Sequence, residues 1–220
     1  MIPALNRREL MGLSGRALLG GLLAVHASRV GYAADGSERT IKEWVGQLDA
    51  ISQQLALRKI SALQWQEAVD SLFAKVPMRS LLELIDFRKL ADRMTALDLA
   101  ERGEIFEDIA VGPIGKTTSE ADATSAIVKV AHIKKGRSIP PHGHGNMTSA
   151  FLCVSGAFDV RQYDRLGDLG EEMIVRQTAD DKDAGPGTWS SISDYRNNVH
   201  WLTAKSDDCF LFTCKLIRLE

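Results

Sequence analysis

From about residue 124 to residue 217 the chain breaks into short runs rich in β-branched and aromatic residues, with turn residues between them. ATSAIVKVAHIKKG, SAFLCVSG, AFDVRQYDR, EEMIVRQT, TWSSIS, NVHWLTA and CFLFTCKLIRL each read as a strand, and RLGDLG and DDKDAGPG as turns. Roughly seven short strands at such spacing cannot bury their apolar faces in one open sheet and predict a sandwich or barrel. The fold class expected is therefore mainly β.

The preceding region has a different period. Ile41, Trp44, Val45, Leu48, Ile51 and Leu55 recur at helical spacing, as do Trp65, Ala68, Val69, Leu72, Phe73 and Val76. Ser61 followed by Gln64 has the form of a capping box at the start of the second stripe. Pro77 ends that stripe, and a third run covers about 79–94. Residues 34–110 are assigned to an α-helical region whose aromatic residues Trp44, Trp65 and Phe73 belong to a core. This region either packs on the barrel or makes a homodimer. Residues 111–123 (VGPIGKTTSEADA) read as a linker, and residues 124–220 as the barrel.

Residues 1–33 are set apart from the fold. An Arg7-Arg8 pair precedes an uncharged run from Ala17 to Val25, and small residues follow at Gly31 and Ala33. The run is far shorter than the about 20 residues a membrane span needs. The order of these features looks like a twin-arginine export signal cleaved after Ala33, which implies a periplasmic or secreted protein without a membrane anchor. Cleavage removes four arginines and one glutamate and takes the formal net charge from -2 to -5. With that charge and no long basic run, nucleic acid is not an expected partner. Cys153, Cys209 and Cys214 are an odd set in apolar runs, which reads as buried thiols rather than a disulfide framework.

The chemistry concentrates in Gly136–Gly156, GRSIPPHGHGNMTSAFLCVSG. His142 and His144 are separated by one residue, and on a strand such a pair shares a face. Neutral imidazole is the commonest ligand of first-row metals, so two on one face can share an ion. His200, in NNVHWLTA, is the one histidine further downstream and the third ligand expected. His26 lies in the signal, and His132 reads as a surface or structural residue. On AFDVRQYDR, alternation groups Asp159, Arg161 and Tyr163 on one face and Phe158, Val160 and Gln162 on the other. If the first group faces inward, Arg161 can hold a carboxylate and Tyr163 can donate to a substrate; if outward, they form a solvated face. Alternation alone leaves both open.

The run Gly136, His142, His144, Ser149, Gly156 resembles the first motif of the cupin superfamily, and Gly185-Pro186-Gly187 followed by His200 loosely resembles the second. The resemblance covers about residues 122–217 and implies a double-stranded β-helix, or jelly-roll barrel, holding one divalent metal on His142, His144 and His200. Where cupins usually carry a fourth, glutamate ligand, this chain has Ser149. Three neutral ligands without that acid are similar to the thiol dioxygenase branch, which implies Fe(II), with Mn or Zn as alternatives, and a small anionic substrate; Ser149, and Arg161 and Tyr163 if they face inward, are the residues expected to contact it. The Ser-x-His-x-Tyr group of that branch is absent after His200, and no catalytic residue is assigned. Two functions stand side by side: a metal-dependent dioxygenase, and a non-catalytic small-ligand binding module or non-redox Mn/Zn cupin.

Overall fold

The computed structural model describes residues 38–96, 107–111 and 126–219. The signal at residues 1–33 and nearly all of the 111–123 linker lie outside them.

Helix α1 (Glu38–Ala56) buries Ile41, Trp44, Leu48 and Leu55 along one stripe. Helix α2 (Ala62–Phe73) starts in the predicted capping box. Gln64 N donates to Ser61 Oγ at 3.2 Å, and Ser61 N donates to Gln64 Oε1 at 2.8 Å. The run expected over 79–94 is two helices, α3 (Met78–Leu84) and α4 (Phe87–Thr95). Asp86 between them takes a left-handed φ of 47°, which no continuous helix accommodates.

Among the described residues nine strands follow: β1 (Glu107–Ala110), β2 (Ile127–Lys134), β3 (Ser138–His142), β4 (Met147–Ser155), β5 (Phe158–Leu169), β6 (Glu172–Ala184), β7 (Trp189–Ile192), β8 (Val199–Ala204) and β9 (Asp208–Ile217). One sheet has the order β1-β2-β9-β4-β7 and the other β3-β8-β5-β6, with every pairing antiparallel. The result is mostly β, two antiparallel sheets in a jelly-roll-like arrangement with helices before it. The helical assignment of 34–110 is corrected at its end, because 107–110 is an outer strand paired to β2. The turns read in RLGDLG and DDKDAGPG are corrected as well. The β5–β6 ladder takes in residues 165–169 and 180–184 until Leu169 faces Glu172, leaving Gly170-Glu171 as a two-residue turn, while Gly185-Pro186-Gly187 does turn the chain into β7. Gly170 supplies the positive φ (62°) such a tight connection requires.

The five-stranded sheet has one face under the helices and one toward the second sheet. Strand β9 shows both. Phe210, Phe212, Cys214 and Leu216 join the helix-side core, whereas Cys209 and Leu211 join the core between the sheets. Cys209 and Cys214 thus face opposite ways. All three cysteines are buried free thiols, and burial pushes Cys153 and Cys214 up to about 12. The helix-side core is aromatic: Trp44, Phe73 and Phe212 pack with centroids 5.5–6.3 Å apart, and Trp44 Nε1 donates to Leu72 O. The core between the sheets is apolar at one end, with Phe158, Val160, Leu202 and Leu211. Among the described residues no helix is long and apolar enough to cross a membrane.

Candidate metal centre

The three expected histidines meet at the other end of the barrel. His142 closes β3 and pairs directly with His200 on β8. His144 is on no strand. It lies in the loop between β3 and β4, so two residues of one strand do not account for the pair; the loop turns His144 back toward the others. Ring centroids are 4.3 Å (His142–His200), 4.6 Å (His142–His144) and 5.0 Å (His144–His200). One ring nitrogen from each lies within 4.8 Å of the others.

The loop that aims His144 is held by backbone and amide contacts. Asn146 takes a left-handed φ of 58°, and its N donates to Asp194 Oδ2 at 2.8 Å. Asn198 Nδ2 donates to His144 O at 2.7 Å and to Ser193 O at 3.3 Å. Gly143 makes room for that amide: a Cβ there would meet Asn198 Oδ1 at 2.9 Å. Asn197, also left-handed at φ 55°, turns the chain into β8 and so sets His200.

The donor set fits a divalent ion. Pro140 O, which can only accept, lies 2.8 Å from His142 Nδ1, so that nitrogen carries a hydrogen and Nε2 is the nitrogen His142 can offer to an ion. Burial, with His142 and Lys215 nearby, lowers His144 to about 4. Burial, with both other histidines beside it, lowers His200 well below the ordinary value. Both rings are neutral at pH 7, the form that binds metal. His200 Nδ1 is buried without a hydrogen-bond partner.

Ser149 is buried on β4 and points between the sheets, since its neighbour two residues on, Phe151, lies with its ring 5.2 Å from His200. Arg161 and Tyr163 do not join it. Gln162, fully buried, is the residue of β5 opposite His200, so alternation puts Arg161 and Tyr163 on the outer face of that sheet. There the Arg161 guanidinium lies 4.9 Å over the Trp201 ring and pairs with Asp180 at 3.4 Å. The substrate roles expected for these two residues are corrected accordingly. Gln162 takes the inward place: its Nε2 donates to Ser191 O at 3.3 Å, and its Oε1 has no partner. The sequence showed that Gln162 opposes Arg161 in facing, and only the pairing to His200 says which of them looks inward. His132 is structural, fully buried against Phe210, with Nε2 2.7 Å from Asp208 Oδ1.

No protein-family model matches the chain, and no curated protein matches it. Solved structures do. KdgF from Halomonas sp. aligns at TM-score 0.34 and 17% identity over 52% of this chain and 80% of that one. Oxalate oxidase in complex with glycolate aligns at 0.33 and 15%, over 51% of this chain and 50% of that one. The cupin domain of Cnp3 from Schizosaccharomyces pombe aligns at 0.33 and 11%, over 52% and 66%. All three alignments are at low identity, and one of the three neighbours is itself a cupin domain.

Proposed function

We propose that the protein is an exported metal-binding cupin whose His142, His144 and His200 hold one divalent ion, Fe(II) in the first instance, and present it to a small anionic substrate that is oxidised there. The convergence of three ring nitrogens within 4.8 Å carries this reading. Three imidazoles so close would repel one another if protonated, and burial keeps two of them neutral with their lone pairs available. When bound, a ferrous ion supplies Lewis acidity and one-electron redox chemistry. The chain's residues do the rest. Pro140 fixes the His142 tautomer, Asn198 fixes the His144 loop, and Phe151 with the apolar end of the barrel keeps water from the inner side of the site. Ser149 leaves the ion's charge uncompensated where an acid would reduce it, which favours anions.

A second reading, a binding module without turnover, has its own support. No aspartate or glutamate belongs to the histidine cluster among the described residues, so no carboxylate stands with the three imidazoles. The export proposal rests on Arg7-Arg8, the apolar run and Ala33.

Metal analysis of untagged protein, with oxygen uptake measured against a panel of small acids and thiols, tests the reading. One equivalent of iron, lost in His142→Ala, His144→Ala and His200→Ala, with uptake in the wild type alone, is the expected outcome. Stoichiometric iron without uptake favours the binding module. Zinc or manganese redirects the search to non-redox chemistry, and no metal overturns the site.

A further inference from the structure

Strand β9 carries a cation into the barrel. Its side chains alternate between the two cores: Cys209 and Leu211 lie between the sheets, and Phe210, Phe212, Cys214 and Leu216 lie under the helices. The alternation places Thr213 and Lys215 on the inter-sheet face. The neighbouring strand agrees. Thr213 is opposite Phe151, whose ring packs against His200, and Lys215 is opposite Ser149. Lys215 therefore projects from the wall of the barrel beside Ser149, at the level of the histidines, and its charge acts on His144.

Among the described residues this cation has no counter-ion. No described carboxylate forms an ion pair or hydrogen bond with Lys215, and the cross-strand position that would supply one holds a serine. Lys129, opposite Thr213 on the same face, has a partner of its own. Side chains as charged as lysine are rarely left partly buried and unpaired. With neutral imidazoles as the only ligands, an ion and Lys215 together leave the pocket strongly positive.

We propose that Lys215 is the anion-binding residue of this pocket, holding the carboxylate of a small organic acid against the ion at His142, His144 and His200. The inference rests on the metal-centre reading above and names its substrate class. It replaces Arg161, which faces away, as the residue that selects for charge. A straight lysine stem brings a single ammonium to one oxygen of the carboxylate, so the other oxygen of the same group is left for the ion.

The test uses the full-length protein loaded with Co(II), bound cobalt being counted in every sample. Acetate and its uncharged isostere acetamide are titrated, with the visible d–d bands of cobalt as the readout. Lys215→Met is expected to weaken acetate binding by roughly tenfold or more, the worth of one charge-assisted contact. Lys215→Arg should restore most of it, and acetamide should bind all three proteins alike and weakly. Unchanged acetate affinity in a fully cobalt-loaded Lys215→Met protein overturns the role of Lys215 and leaves the metal centre standing. Wild-type protein that takes up no cobalt overturns the metal centre itself, and the inference with it.

Discussion

Ser191 Oγ on β7 donates to the Asp70 carboxylate on α2 at 2.6 Å, joining the helical region to the barrel. Arg196 reaches the same carboxylate at 2.7 Å, and Ser191 O faces the amides of Gln66, Gln162 and Asn197 at 2.9–3.3 Å. One serine thus ties a helix to Gln162, beside His200, and to the turn that sets His200. Replacing Asp70 by Ala strands the Ser191 hydroxyl and the Arg196 charge and is expected to cost about 2 kcal/mol. Urea unfolding measures the loss. Bound metal at saturation should stay stoichiometric, because no ligand moves.

The pH dependence of the metal-free protein has a fixed sign. His144 sits at about 4 in the folded chain, against 6.5 when unfolded, and His200 is displaced the same way. Between those values the unfolded chain binds protons that the folded chain does not. The contribution of His144 is therefore complete above pH 6.5 and is lost as pH drops toward 4, and His200 adds a loss of the same sign. Thermal melts from pH 7 to 4.5 should show a steeper loss for the wild type than for His144→Asn. Parallel slopes would mean that His144 is not held neutral by the fold.

Gly156 ends the histidine motif with a φ of 80°, and a Cβ there would lie 2.7 Å from Asp208 O and 2.9 Å from Cys209 Cα. Both are backbone atoms of β9 and cannot swing away. Gly156→Ala should destabilise by on the order of 3 kcal/mol through strain and overpacking together. Gly145→Ala is the control, since nothing lies within 4 Å of its added Cβ. Denaturant midpoints of the two variants make the comparison.

Ser149→Glu places a carboxylate opposite Lys215 and beside the three histidines. It is expected to tighten metal binding by at least about tenfold and to weaken binding of anions, since it both lowers the charge of the ion and occupies Lys215. Chelator competition measures the first effect and acetate titration the second. A gain in metal affinity with unaltered anion binding would separate Ser149 from Lys215.

Much of the fold was legible because its signals are local. The capping box at Ser61 and Gln64, the stripe of Trp44 and Leu48 and the β-branched runs after residue 126 each act within a few residues. The break at Asp86 was not legible, because apolar spacing continues across it and only the backbone reverses. Nor was the length of the β5–β6 hairpin. Polar turn-forming residues such as Asp168, Asp180 and Asp181 lie in strands there because the cross-strand ladder pairs them.

The amino-acid sequence by itself determined which residues of β5 share a face, roughly where most of the barrel strands run and that three histidines are available for one ion. Strand period and imidazole chemistry suffice for that. The tertiary structure alone decided which face looks inward. A strand with period two presents two equivalent faces until its partner is known, and β5 is settled by a single pairing, Gln162 with His200, which turns Arg161 and Tyr163 outward. The same holds for Lys215, which is an ordinary lysine near the end of the chain until β9 inserts between β2 and β4 and sets it opposite Ser149. That pairing joins residues far apart in the chain, and no local pattern encodes it.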